Sequence, residues 1–242
     1  MDTAAEDLWA ADVYRLDFSA DPSKLLAASA HIFSLAWRRD FAAPGFCLLE
    51  LGNQIDSHAM RRLMLALKER LSEICLQTTG KKLVFRSLGR FDQQETTKFH
   101  LDGAPDESIL VLGYEPSPVR SRLFMADYSR CAFDLGITPR QFLEDHNPMF
   151  IDGQRRLAGY TTELPPPDGG SRIVLINNCR LPFAEARTNS LGVMHTAEII
   201  NPTESERRIV NSMMLSPGDA DEVGDDAQAE FAITDKISQK FY

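Results

Sequence analysis

The texture of the chain changes at Gly80, and that change limits the folds open to it. Before Gly80 the apolar residues recur at helical spacing. Leu25, Ala28, Ile32, Leu35 and Ala36 predict an amphipathic helix over Ser23–Phe41. Met60, Leu63, Met64, Leu67, Leu71 and Ile74 predict a second one, capped by Asp56 or Ser57 and running to about Cys75. Pro44-Gly45 and a short buried strand, Phe46–Leu51, lie between them. After Gly80 come short apolar runs set apart by turn residues: Leu83–Phe85, Thr96–Leu101, Ile109–Tyr114, Arg122–Ala126, Gly159–Leu164, Arg172–Asn177, Gly192–Ile200 and Arg208–Leu215. So many short strands predict a β-sandwich or barrel-like core with the N-terminal helices packed outside.

One helix interrupts the strands. Thr138-Pro139-Arg140-Gln141 places a capping threonine, a proline at the first helical position and a glutamine three after the cap. Residues 1–22 read as a polar lead-in, 23–215 as a single domain, and 216–242 as an acidic, solvated tail holding Asp219, Asp221, Glu222, Asp225 and Asp226. A length of 242 residues suits one large domain of this kind. The net charge of -9 argues against a nucleic-acid-binding protein. No apolar run is long enough to span a bilayer, and the N-terminus lacks the pattern of a secretory signal. The scattered cysteines (Cys47, Cys75, Cys131, Cys179) predict free thiols in a reducing cytoplasm.

Chemistry concentrates in a few residues. His100-Leu101-Asp102 closes a strand-like run before Gly103, and His195 lies in another. Residues two apart on a strand face the same side, so His100 and Asp102 can reach one ion. Two imidazoles and one carboxylate are the donor set of a mononuclear non-haem Fe(II) site with open positions. The plain alternative is a surface histidine beside a turn-forming aspartate. His31, His58 and His146 fall on predicted helices without a partner at ligand spacing. After His195, Asn201-Pro202 predicts a hairpin turn that brings Arg207 and Arg208 back towards it. Arg208 shares a face with Val210 and Ser212. A guanidinium beside a hydroxyl makes a carboxylate pocket, which favours Arg208 with Ser212 over Arg207.

His-x-Asp, a distant histidine and an arginine shortly after it resemble the Fe(II)/2-oxoglutarate-dependent dioxygenase superfamily. Pro44–Leu49 and Arg172–Asn178 resemble core strands of that group, and the resemblance runs from Phe46 to Leu215. It implies a double-stranded β-helix, or jelly roll. It implies Fe(II) on His100, Asp102 and His195, and 2-oxoglutarate held by Arg208, with dioxygen as co-substrate. The implied reaction oxidises a small molecule while 2-oxoglutarate becomes succinate. Asp102 implies hydroxylation, desaturation or cyclisation rather than halogenation. Gly170-Ser171-Arg172 departs from the glycine-aspartate pair common in the family and leaves Arg172 as a rival anion contact. The other readings are a cupin-like metalloenzyme that does not use 2-oxoglutarate, and a non-catalytic jelly-roll binding protein. The arginines of Arg120–Asp168 read mainly as solvated loop charges, with an anionic substrate as the alternative.

Overall fold

Strand alternation in one central segment shows how the chain is layered. In the computed structural model, which describes residues 7–180 and 191–238, Ile109–Tyr114 is a fully buried strand. Ile109 and Val111 pack with Met60, Met64 and Leu67 on one side, while Leu110, Leu112 and Tyr114 pack with Leu123 and Met125 on the other. Each such aliphatic side chain contributes about 1.5–3 kcal/mol by leaving water. A sheet buried on both faces needs a second layer on each side.

The strands are β1 (Arg15–Asp17), β2 (Phe46–Gly52), β3 (Lys82–Asp92), β4 (Ile109–Tyr114), β5 (Ser121–Ala126), β6 (Thr161–Glu163), β7 (Ser171–Asn177), β8 (Met194–Ile199) and β9 (Ile209–Gly218). Six form a mixed sheet in the order β1-β2-β7-β4-β9-β3, and three form a smaller antiparallel sheet, β6-β5-β8. The helices are α1 (Ala11–Tyr14), α2 (Ser29–Ala36), α3 (Ser57–Thr79), α4 (Tyr128–Asp134), α5 (Pro139–Asp145), α6 (Ile151–Leu157) and α7 (Asp225–Ile233). The fold is mainly β. Helices α2 and α3 cover the outer face of the large sheet, whose inner face meets the small sheet. Helices α4 to α6 cover the small sheet around Tyr128, Phe142 and Leu157.

Local chemistry sets the helix ends. Asp56 Oδ1 accepts the Ala59 N–H at 2.6 Å to start α3. Gly80 ends it in the left-handed conformation at φ 78°. Helix α3 therefore runs past Cys75. Thr138 and Gln141 form the reciprocal capping box at α5. Gly113 lets α3 lie close on β4, because a Cβ there would stand 2.6 Å from Met64 Sδ.

The structure departs from several expectations. β8 and β9 do not form a hairpin: β8 pairs with β5 in the small sheet, and β9 lies between β3 and β4 in the large one. Their connection crosses between sheets. Residues 96–101 form no strand; Thr96, Thr97 and Thr196 hydroxyls bond the neighbouring backbone in place of a regular ladder. The lead-in is not merely polar, since β1 pairs in parallel with β2 and Tyr14 packs on Phe46 at 4.9 Å. The tail is not simply solvated either. Ser216–Gly218 complete β9, Asp221 Oδ1 accepts the Phe85 N–H at 2.7 Å, and α7 buries Phe231. Residues 1–6 of the lead-in and 239–242 of the tail lie outside the described residues.

Candidate metal centre

Two dipeptides, Phe99-His100 and Met194-His195, place the histidines. Phe99 and Met194 join the apolar layer under α4 to α6; alternation along β8 turns His195 the other way, between the sheets, and the bridge to His195 sets His100 beside it. Met125, opposite His195 on β5, points the same way into the inter-sheet core. His100 and His195 stand opposite each other as an isolated antiparallel bridge. Each N–H donates to the other's carbonyl at 3.1 Å. Their ring centroids are 4.3 Å apart. Asp102 follows beyond the bridge, with its Oδ1 3.3 Å from His100 Nε2. One ligand atom from each of His100, Asp102 and His195 lies within 4.8 Å of the other two.

The protonation states suit a cation. His100 Nδ1 lies 2.7 Å from the Lys98 carbonyl. That bond requires a proton on Nδ1 and leaves Nε2 as the free donor atom when the ring is neutral. Burial lowers the His100 pKa, but the Asp102 hydrogen bond, the Lys98 carbonyl and the Asp102 charge outweigh it, and the net shift is upward. Burial pushes the His195 pKa down to about 4, against the pull of Asp102, so this ring is neutral near pH 7. Burial raises the Asp102 carboxyl, yet the His100 hydrogen bond with the charges of His195, His100 and Arg180 brings it below the usual carboxylate range. His195 Nδ1 is buried and has no hydrogen-bond partner among the described residues. A neutral imidazole, an imidazole with a fixed tautomer and an ionised carboxylate, with an unsatisfied ring nitrogen between the sheets, fit a divalent metal.

The three residues line a cavity of about 430 Å³. Ser212 lines it too, with Val210 and Met214 of β9 and Leu112 of β4. Arg208 does not. It lines a second cavity of about 330 Å³ with Tyr114, Ser121 and Pro165. Gln93 lines the first cavity, and its carbonyl accepts Arg208 Nη1 at 3.1 Å. Arg208 is only 3% exposed. Its Nε donates to Ser121 Oγ at 3.0 Å, and its guanidinium carbon lies 5.1 Å from the centre of the Tyr114 ring. Its Nη2 is buried without a partner among the described residues. Burial lowers its pKa. Arg207 is exposed, and its carbonyl accepts the Ser117 hydroxyl at 2.7 Å. Arg172 is fully engaged by Glu50 at 2.7 Å and by the Pro165 and Pro166 carbonyls.

The Arg120–Asp168 region does not line the triad cavity, although Arg120, Ser121, Arg122 and Pro165 line the second one with Arg208. Arg122 pairs with Glu163 and Glu198, Tyr128 donates to the Cys179 carbonyl, and Tyr160 donates to Asp134. The lining of the triad cavity, among the described residues, includes none of these. Residues the sequence did not single out also serve the site. Lys98 contributes a backbone carbonyl, which no side-chain pattern reveals. Asn178 bonds the Asp102 backbone, and its only signal in the sequence is an asparagine pair at the end of a strand. Among the described residues no helix is long and apolar enough to cross a membrane.

No protein-family model matches the chain, and no curated protein matches it. Among solved structures it is similar to a single-residue variant of the iron and alpha-ketoglutarate-dependent endoperoxidase NvfI, at 13% identity over 79% of this chain and 84% of that one, with a TM-score of 0.39. NvfI in a different conformation gives 12% identity, coverage of 79% and 81%, and a TM-score of 0.39. A further structure of NvfI gives 13% identity, coverage of 79% and 83%, and a TM-score of 0.35. Likeness at this level assigns the chain to no family.

Proposed function

We propose that the protein is a non-haem Fe(II)/2-oxoglutarate-dependent oxygenase acting on a small molecule. The observation that carries this is the convergence of His100, Asp102 and His195 within 4.8 Å beside an uncharged cavity wall of Ser212, Val210 and Met214. The two facing sheets, with the β8–β9 connection crossing between them, are what a double-stranded β-helix would present. Cys47, Cys75 and Cys131 are buried free thiols, which suits a reducing compartment such as the cytoplasm.

The residues divide the work. His100, with its tautomer held by Lys98, His195 and Asp102 would hold the iron on one side and leave its other positions open. Iron so bound couples the decarboxylation of 2-oxoglutarate by dioxygen to oxidation of a C–H bond in the substrate. Arg208 would take the distal carboxylate of 2-oxoglutarate. Ser121 and Gln93 occupy only part of its donor fork, and Nη2 is buried and free to donate. Leu112 and Val210 would line the path between the two ends and keep water from it. Ser212 lies on the metal side of that path.

Anaerobic titration tests this. Fe(II) and 2-oxoglutarate together should give a visible charge-transfer band that neither gives alone, and His195→Ala should abolish it. A band that survives unchanged in His195→Ala would overturn the ligand assignment. Metal binding with no response to 2-oxoglutarate would point instead to a cupin-like metalloenzyme.

A further inference from the structure

Asp102 presents a mechanical problem. It is the carboxylate of the triad, yet it lies beyond the His100 bridge and outside every strand. No ladder fixes its backbone, and a loop ligand left free would pay conformational entropy each time it met a cation.

We infer that Asn178 is the positioning residue for this ligand. Its side-chain amide bonds both backbone groups of Asp102: Oδ1 accepts the Asp102 N–H at 2.9 Å, and Nδ2 donates to the Asp102 carbonyl at 3.1 Å. A neighbouring strand would offer the same pair of bonds. Asn178 is itself fixed. It is fully buried just after β7. Its N–H donates to the Ser108 carbonyl at 2.9 Å, and Nδ2 also reaches Ser108 Oγ at 3.0 Å. Ser108 is fully buried immediately before β4, the neighbour of β7. The amide thus ties Asp102 to the ends of two central strands of the large sheet, while His195 ties His100 to the small sheet. The donor set spans the gap between the sheets, and Asn178 fixes one side of it. Arg180 Nη2, at 2.8 Å from the same carbonyl, adds a second hold.

This inference rests on the metal reading above, and the experiment separates the two. Co(II) alone is titrated into the full chain and followed by calorimetry and by its visible spectrum. The proteins are wild type, His195→Ala, Asn178→Asp and Asn178→Leu, each first checked for native circular dichroism and apo melting temperature. Asn178→Asp keeps the shape and one acceptor but sets a carboxylate oxygen against the Asp102 carbonyl. Removal of such an outer contact characteristically costs 10–100-fold in metal affinity. We expect a loss of about tenfold or more in Asn178→Asp, with a changed Co(II) spectrum. Should Asn178→Leu fail to fold, Asn178→Asp carries the test. A merely structural role would lower the apo melting temperature while leaving the affinity and spectrum of the folded protein as in wild type, and that result would overturn the inference. Wild type that binds no Co(II), or His195→Ala that binds it equally well, would overturn the metal centre itself.

Discussion

Replacing Arg208 by alanine should weaken 2-oxoglutarate binding by about two orders of magnitude and leave iron binding nearly unchanged. The size follows from the donor count. A guanidinium has five N–H groups. Ser121 Oγ takes Nε–H, and the Gln93 carbonyl takes one hydrogen of Nη1. The Tyr114 side chain also bonds this guanidinium, and Nη2, which has no partner among the described residues, keeps two hydrogens to meet a carboxylate. Two charge-assisted bonds at about 1.5–3 kcal/mol each give about 3 kcal/mol at the low end, or roughly 100-fold. Iron affinity should shift little, because Arg208 lines the second cavity and not that of the triad. The assay is calorimetric titration of 2-oxoglutarate into the metal-loaded, oxygen-free protein. Arg208→Lys should fall between, since it keeps the charge and loses the fork. The apo protein offers a control: removing a buried cation with an unpaired nitrogen also relieves a desolvation cost. Arg208→Met should therefore destabilise the apo fold less than its packing on Tyr114 alone suggests. A loss in Arg208→Ala below about threefold, or an equal loss in Arg207→Ala, would refute the assignment of the carboxylate to this side chain.

Metal affinity should rise with pH between 6 and 8. Asp102 is already ionised and His195 already neutral there, so the upward-shifted His100 must give up a proton when the metal binds. Calorimetry in buffers of different ionisation enthalpy would count that proton; affinity that is flat over this range contradicts the sign. Asp127→Ala should cost about 3–5 kcal/mol, because it strands Arg38, buried and bonded to Asp127 at 2.6 and 2.5 Å. Denaturant unfolding would measure it, and pairing the change with Arg38→Met should recover part of the loss. Gly192→Ala should cost about 1–3 kcal/mol or more, since its Cβ would fall 2.0 Å from the Cys179 carbonyl oxygen, a backbone atom that cannot swing away. An unchanged melting temperature would show that the segment before β8 can shift freely.

The large sheet was legible because its strands are buried on both faces. Ile109–Tyr114 and Ile173–Ile176 within Arg172–Asn177 read as near-continuous apolar runs, and both lie at its centre. Of β3 the apolar pattern shows only Leu83–Phe85, because it is an edge strand. Beyond the irregularity at Phe85–Ser87, polar residues take up its exposed positions, and Arg86 and Arg90 find partners in Ser216 and Glu115. Helices α4 and α6 were hidden by their brevity, since seven residues hardly show a helical period. The acidic tail misled by composition. Its charge pattern is that of a solvated segment, but Asp221 fills a hydrogen bond beside the β3 irregularity and Phe231 covers the α3 face near Arg61.

The site illustrates a different limit. Residue type and order singled out His100, Asp102 and His195, and the dipeptide Met194-His195 contains the reason the His195 ring turns inward. Strand parity, though, is not what brings Asp102 to His100: Asp102 stands outside any strand, and its backbone is carried by Asn178. Nor is a hairpin what relates His195 to Arg208. β8 and β9 belong to opposite sheets, so the short stretch between them is a crossover through the width of the sandwich. That geometry has a consequence for chemistry. A hairpin would put the arginine on the same wall as the histidine, whereas the crossover puts a histidine on one sheet and the arginine at the start of a strand on the other. A dicarboxylate held at both ends would then bridge the two sheets. Its binding should stiffen the sandwich as a whole, which slower amide exchange in both β8 and β9 on adding 2-oxoglutarate with an inert divalent metal would reveal. Protection confined to β9 would mean that the ligand touches one wall only.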